Sequence, residues 1–202
     1  MPNVKPTRSE LIKLERKIKL ATSGHSLLKR KRDGLIKEFF AVLEEAKKSK
    51  SEISDNYDKA QNSINLARAT DGTIAVKSAS QAMKTKAEIE VKTRNVMGVV
   101  VPAIQSDHKV HAFHERGYGI LGTSAFIDDA AECYEILLGN IITASEIENT
   151  LRKLLFEIDK TKRRVNALEF KVIPELKKDA RFIRLRLEER EREDVFRLKR
   201  MK

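Results

Sequence analysis

The sequence predicts an all-α fold: a long antiparallel two-helix coiled-coil hairpin, with a small knob in its middle that carries a short β-hairpin. Three observations predict it. Near the N-terminus a 3-4-3-4 register runs through Leu11, Leu14, Ile18, Ala21, His25, Leu28, Arg32, Leu35, Phe39, Val42, Ala46, Ser49, Ile53, Asn56 and Ala60. Near the C-terminus the same spacing returns as Leu151, Leu154, Ile158, Thr161, Val165, Leu168 and Val172. Between them the period changes from the helical value to two, over Glu88 to Val96. A heptad seam held this long marks a helix that packs on another helix along its length. With one seam at each end of the chain, a hairpin of paired helices is the economical solution, wound left-handed.

The first helix is expected to start at Pro6-Thr7-Arg8-Ser9-Glu10, where Thr7 caps the first amides and Glu10 reaches back to complete a capping box. It carries no proline as far as Ala69, so about 60 residues at about 1.5 Å each predict a rod of roughly 90 Å. Gly24 and Gly34 lie inside it, each less favourable than alanine by about 1 kcal/mol, and close packing of a partner would explain such small residues. The stretch from Lys47 to Ser54 is polar and serine-rich, so the seam is expected to be loose there. Thr70-Asp71-Gly72-Thr73 breaks the helix, giving an N-terminal shaft segment of residues 1–69.

A middle segment, 70–122, follows. Glu88 to Val96 alternates apolar with polar, and Gly98-Val99-Val100-Val101-Pro102 is a second β-branched run. They predict a β-hairpin over about 88–102, with its turn near Asn95 to Gly98 and with Ile89, Val91, Val99 and Val101 as its apolar residues. A lone two-stranded hairpin is marginal in water, so it needs something to lie against. Residues 103–122 read as irregular. The second helix, 123–202, is expected to start at Thr123-Ser124, with Asp128 and Asp129 suited to the dipole of its early turns. Its apolar face is read through Phe126, Ala130, Cys133, Leu137, Ile141, Ala144 and Ile147 into the C-terminal seam. Pro174 is expected to remove a hydrogen bond and kink the helix. The seam resumes at Leu176, Ala180, Ile183 and Leu187, and the densely charged stretch from Arg181 to Lys202 is expected to project past the partner helix.

Composition agrees with this reading. Among 202 residues, 35% are charged and 5% aromatic, with no tryptophan, which is thin for a globular core and ordinary for a coiled coil with a narrow buried stripe. The single cysteine, Cys133, excludes an internal disulfide and reads as a small buried apolar residue of a reducing compartment. No run approaches the roughly 18 apolar residues of a membrane span, and no signal-peptide pattern opens the chain; a soluble, intracellular protein without direct membrane insertion is expected. The net charge of +11 points to a partner with a negative surface.

The motifs that suggest chemistry are weak. Gly117-Tyr118-Gly119-Ile120-Leu121-Gly122 matches the dinucleotide fingerprint by letter, but no strand precedes it and no βαβ unit surrounds it. It is read as a turn. His108, His111 and His114 lack the partners of a known zinc pattern. His25, on the seam, is read as a partly buried histidine hydrogen-bonded across the hairpin. No nucleophile elbow or phosphate loop is present, so no catalytic residue, cofactor or metal is expected. Lys29-Arg30-Lys31-Arg32 is four consecutive basic residues, but on a helix these point around the axis, and no interleaved aromatics support base stacking. A nucleic-acid partner is not expected.

Pro6-Thr7-Arg8-Ser9-Glu10-Leu11, Gly24-His25-Ser26-Leu27-Leu28-Lys29-Arg30-Lys31-Arg32-Asp33, Arg164-Val165-Asn166-Ala167-Leu168-Glu169 and Ile173-Pro174 together resemble the D subunits of the V-type and archaeal A-type ATP synthases, over essentially the whole chain. The resemblance implies a non-catalytic central rotor shaft whose helical hairpin enters the hexamer of catalytic A and B subunits. It also implies that the knob, with the small F subunit, docks on the C subunit at the membrane ring, on the cytoplasmic side, and that the short hairpin modulates ATP hydrolysis. Lys29, Arg30, Lys31, Arg32, Arg181 and Arg184 are the candidate hexamer contacts. The alternative is a basic coiled-coil scaffold or nucleic-acid-binding rod.

Overall fold

The computed structural model describes residues 5–82, 89–106, 116–119 and 123–201. Helix α1 spans Arg8–Ala82, strands β1 and β2 span Ile89–Val96 and Val99–Ser106, helix α2 spans Ala125–Ala167, a π-helical turn spans Leu168–Val172, and helix α3 spans Ile173–Arg200. The chain divides into two compact units, Met1–Ile36 with Phe156–Lys202, and Lys37–Leu155. Long helices at both ends and a two-stranded antiparallel sheet between them are the fold class that the sequence predicts.

In the first unit the start of α1 pairs with the end of the chain. Thr7 caps α1 through its Oγ1, which accepts the Glu10 N–H at 3.3 Å. The other half of the expected capping box does not form. The Glu10 carboxylate instead accepts Lys13 Nζ at 2.9 Å, and the bond and charge of Lys13 hold its pKa below the usual glutamate value. Leu14, Ala180 and Ile183 form a buried cluster, with Leu11, Ile18, Leu176, Phe182 and Leu187 packed against it. Arg8 pairs with Glu191, Glu15 with Arg184 and His25 with Glu169; partner numbers fall as α1 numbers rise, so the helices are antiparallel. Beyond Glu191, residues 192–201 are all exposed.

Pro174 is accommodated differently from the expectation of a hydrogen bond lost at a kink. Val172 and Ile173 keep helical angles (φ −68°, ψ −50° and φ −65°, ψ −45°), and the Ile173 N–H bonds Leu168 O, five residues back. The wide turn moves the i−4 carbonyl off the pyrrolidine ring, which a regular helix would force into collision. It also absorbs one residue. The seam positions Leu168, Val172, Leu176 and Ala180 are four apart three times in succession, one residue more than a heptad repeat allows, yet they remain half-buried or buried. A π turn is the local structure that swallows such an insertion without rotating the apolar stripe away from its partner.

In the second unit α1 packs on α2, and the seam runs through small residues: Ala46, Ser49, Asn56, Ala60, Ser63 and Ala67 are all buried or half-buried. A cleft of about 400 Å³ opens among Ala46, Ile53, Ala144, Ile147 and Leu151, in the stretch that the sequence marks as loose. Ser63 meets Cys133 at 3.7 Å, and Ser124 donates to Asp71. Helix α1 breaks at Gly72, as the sequence predicts, but only for that one residue (φ 84°, ψ 157°). It then resumes to Ala82, a continuation not anticipated from the sequence, because Val76 and Ala79 find an apolar bed against Ala67, Ile127 and Tyr118. The Gly72 backbone angles are accessible essentially to glycine alone. Gly24 differs: a methyl group there would meet nothing within 4 Å, so close packing does not account for it. Thermal unfolding should therefore show Gly24→Ala stabilising by about 1 kcal/mol and Gly72→Ala destabilising by about 1–3 kcal/mol.

Strands β1 and β2 pair from Ile89↔Ser106 to Val96↔Val99, closed by Met97 (φ 50°) and Gly98 (φ 83°), with the Gly98 N–H donating to Asn95 Oδ1 at 2.8 Å. Strand β2 runs four residues past Pro102, into a stretch that reads as irregular in sequence. Proline is tolerated because it sits where the N–H faces away from the ladder. Helix α2 also departs from the sequence register at two places. Phe126 and Ile141 are 40% and 43% exposed, whereas their neighbours Ile127 and Ile142 are 5% and 8% exposed. A single-partner heptad does not hold here, because α2 has a second neighbour besides α1: Tyr118 packs at the Ile127 cluster near its start, and further along the hairpin meets it, where Glu146 accepts the Ile104 N–H at 3.0 Å and Lys153 Nζ donates to Val100 O at 3.1 Å.

Candidate functional surfaces

In the first unit, Lys29 and Arg30 are exposed and Lys31 and Arg32 half-buried, as the 100° step per helical residue dictates. Arg32 is turned onto Asp33, with Nε and Nη2 at 3.0 and 2.8 Å from Oδ1. Arg184 is held by Glu15 at 2.8 Å, and Arg181 is exposed. Among the described residues Lys29, Arg30, Lys31 and Arg181 have no ion-pair partner, and Lys29, Arg30 and Arg181 are exposed. The ties between the helices are themselves solvated: the side chains of Arg8 and Glu191 are 77% and 59% exposed, and pairs of this kind contribute about 0–1 kcal/mol each. Apolar side chains are exposed on the same unit, at Ile12, Leu20 and Leu27 on α1 and at Val195, Phe196 and Leu198 on α3.

The candidate seam residues Leu11, Ile18, Leu28, Phe39, Val42, Leu151, Ile158, Leu168 and Val172 are half-buried, and Leu14, Leu35, Leu154 and Val165 are 0–7% exposed. Of the candidate hairpin residues, Val99 and Val101 are buried at 9% and 1%, whereas Ile89 and Val91 are 53% and 61% exposed.

One cluster carries no sequence signal. Arg116 is 4% exposed; its Nη1 donates to Asp128 O at 3.0 Å and its Nη2 to Glu135 Oε2 at 3.4 Å, and Tyr118 OH donates to Asp128 Oδ1. Burial by itself pushes the guanidinium pKa down, but the Tyr118 bond and the Glu135 charge outweigh it, leaving it above the usual value. Burial, then the Asp128 bond, raises the Tyr118 phenol, with Arg116 opposing. A folded-state pKa above the unfolded one means that the protonated phenol stabilises the fold below about pH 10, and that this stabilisation is lost as pH rises through the folded value. An alkaline unfolding series should show this loss in the parent chain and not in Tyr118→Phe. Arg116 and Tyr118 bracket a glycine (Gly117, φ 86°) inside the fingerprint-like run, and no periodicity flags either residue.

Gly117 and Gly119 lie in a non-helical stretch before α2; Ile120, Leu121 and Gly122 lie outside the described residues, as do His108, His111 and His114. Among the described residues no three His, Cys, Asp or Glu side chains group as metal ligands, and no helix is long and apolar enough to cross a membrane. His25 reaches Glu169 Oε2 at 3.3 Å across the helix pair, with its side chain 18% exposed.

Comparison with known proteins agrees with this architecture. The family model that describes ATP synthase D subunits matches residues 10–202. The A-type ATP synthase D subunit of Methanococcoides burtonii is 57% identical over 98% of this chain and 97% of its own length. That of Methanosarcina acetivorans is 56% identical over 99% of this chain and 96% of its own length. That of Haloarcula marismortui is 49% identical over 99% of this chain and 87% of its own length. A full-length match at these identities, on paired helices with a small central sheet, leaves one assignment: the chain belongs to the family of A-type ATP synthase D subunits.

Proposed function

We propose that this chain is the non-catalytic central rotor shaft of a V/A-type ATP synthase or ATPase. It couples ATP synthesis or hydrolysis in a hexamer of catalytic A and B subunits to rotation of the membrane ring and to proton or sodium transport. In this reading residues 1–69 and 123–202 make the shaft, and 70–122 the knob. The small F subunit, and the C subunit at the ring, are its other partners, and it works on the cytoplasmic side, peripheral to the membrane. The supporting observation is the surface of the first unit, where the helices pair through a narrow apolar stripe and leave Lys29, Arg30 and Arg181 facing solvent without partners among the described residues. Weak, remakeable polar contacts suit a shaft that must meet three catalytic sites in turn without binding one of them tightly.

The test is reconstitution of the hexamer with and without this chain, reading rotation-dependent ATPase. The triple reversal Lys29→Glu, Arg30→Glu, Arg181→Glu should weaken assembly or coupled ATPase by about tenfold. That corresponds to three rim contacts of roughly 0.5 kcal/mol each. Unchanged coupled activity would remove these residues from the contact surface. The net charge of +11 favours the second reading, a nucleic-acid-binding rod. That reading requires steeply salt-dependent retention on DNA, where a shaft would co-purify with the other ATPase subunits.

A further inference from the structure

The two edges of the β-hairpin are not alike. In an antiparallel pair, alternate residues point their N–H and C=O groups into the ladder and the rest point them outward. On β2 the outward set is fixed by its bonds to α2, since the Ile104 N–H goes to Glu146 and the Val100 C=O to Lys153. Pro102, between them, has no N–H to offer. The outer edge of β2 is therefore closed. The register pairs Ile104, Pro102 and Val100 with Val91, Thr93 and Asn95, so these three carry the outward groups of β1. Among the described residues no hydrogen bond meets their backbone on that side. Seven of the eight β1 residues are exposed, including Ile89 at 53% and Val91 at 61%.

An open edge is a template for another strand, and charge decides which strand. Lys92 and Arg94 stand on β1 between the outward-facing residues. Lys92 bonds Gln105 at 2.6 Å and pairs with Glu90 at 3.3 Å; Arg94 has no ion-pair partner among the described residues. A second copy of this chain pairing through β1 would bring these cations against their own images, which disfavours self-association. A strand bearing carboxylates would meet them favourably, while its apolar side chains would extend the exposed Ile89, Val91 and Val100 face.

We propose that the outer edge of β1 is a strand-docking site for an extended partner segment in which acidic and β-branched residues alternate, its backbone pairing with Val91, Thr93 and Asn95. The proposal does not depend on the shaft reading, and its failure would leave that reading in place.

The test uses the full-length chain, isotope-labelled. The probes are two synthetic ten-residue peptides, one alternating valine with glutamate and one alternating valine with lysine. The glutamate peptide should shift the amides of Val91, Thr93 and Asn95 and slow their exchange at least tenfold. It should bind at least tenfold more tightly than the lysine peptide, with affinity falling as salt rises. Thr93→Pro removes an outward N–H without touching the ladder and should abolish binding, with the inward amides of Lys92 and Arg94 still protected. Should the proline loosen those amides as well, the double reversal Lys92→Glu, Arg94→Glu carries the test by inverting the peptide preference. Absence of protection at the three amides, equal binding of both peptides, or full binding by a well-folded Thr93→Pro variant would each overturn the proposal.

Discussion

Arg116→Met is expected to destabilise the chain by about 3 kcal/mol, because it breaks two hydrogen bonds of a buried charged group, to the Asp128 carbonyl and the Glu135 carboxylate. Glu135 is 7% exposed and Arg116 4%, so neither charge has water to fall back on. The loss should be read by chemical denaturation, and it should be largely recovered in the double variant Arg116→Met, Glu135→Leu, where both charges are replaced by apolar side chains of similar size. Arg116→Met alone costing less than about 1 kcal/mol would mean that the cluster is not what pins residues 116–119 onto α2. The arrangement holds Gly117 between two ties: Arg116 spans from the Asp128 carbonyl to Glu135, and Tyr118 bonds Asp128 from the other side of the glycine.

The second large effect concerns the π turn. Deleting Phe170, which is 75% exposed, removes the extra residue with little loss of packing. Leu176, Ala180, Ile183 and Leu187 then fall on the heptad positions that continue from Thr161, Val165 and Leu168. The turn must close to a regular helix, however, and Pro174 then collides with the carbonyl four residues back, at a cost of about 3 kcal/mol or more. The deletion alone should lower the thermal midpoint by several degrees. The deletion combined with Pro174→Ala should restore it to near the parent value, and Pro174→Ala alone should be nearly neutral. A deletion that is neutral by itself would show that the turn does not exist to reconcile the proline with the seam.

What the sequence discloses follows from how many partners each helix has. Along α1 every seam position from Leu11 to Ala60 is buried or half-buried, since one partner at a time faces it and a period of 3.5 suffices. The C-terminal seam is equally legible on either side of Pro174. The single additional residue between them is visible in the spacing, but a spacing does not distinguish a kink from a widened turn. Legibility fails where an element has two neighbours. Phe126 and Ile141 are misassigned because α2 also holds Tyr118 near its start and β2 further along, and Ala103 to Ser106 read as irregular because the Glu146 carboxylate, 42 residues away, completes that edge. The outward basic residues are legible as chemistry, but nothing local in the sequence says that Arg184 is taken by Glu15 while Arg181 is not. The Arg116 cluster is invisible for the same reason: its partners are fixed by packing, not by spacing.

The ties of the first unit join residues 183, 169 and 144 positions apart in sequence. A ribosome emits the opening stretch of α1 first and its partner last, so at about 5–20 residues per second the amphipathic N-terminal stretch waits on the order of ten seconds or more for α3. During that interval Leu11, Leu14 and Ile18 have nothing of their own chain to cover them. Nascent chains halted before residue 176 should therefore engage holding chaperones through residues 11–35, and release them once the last 27 residues have emerged.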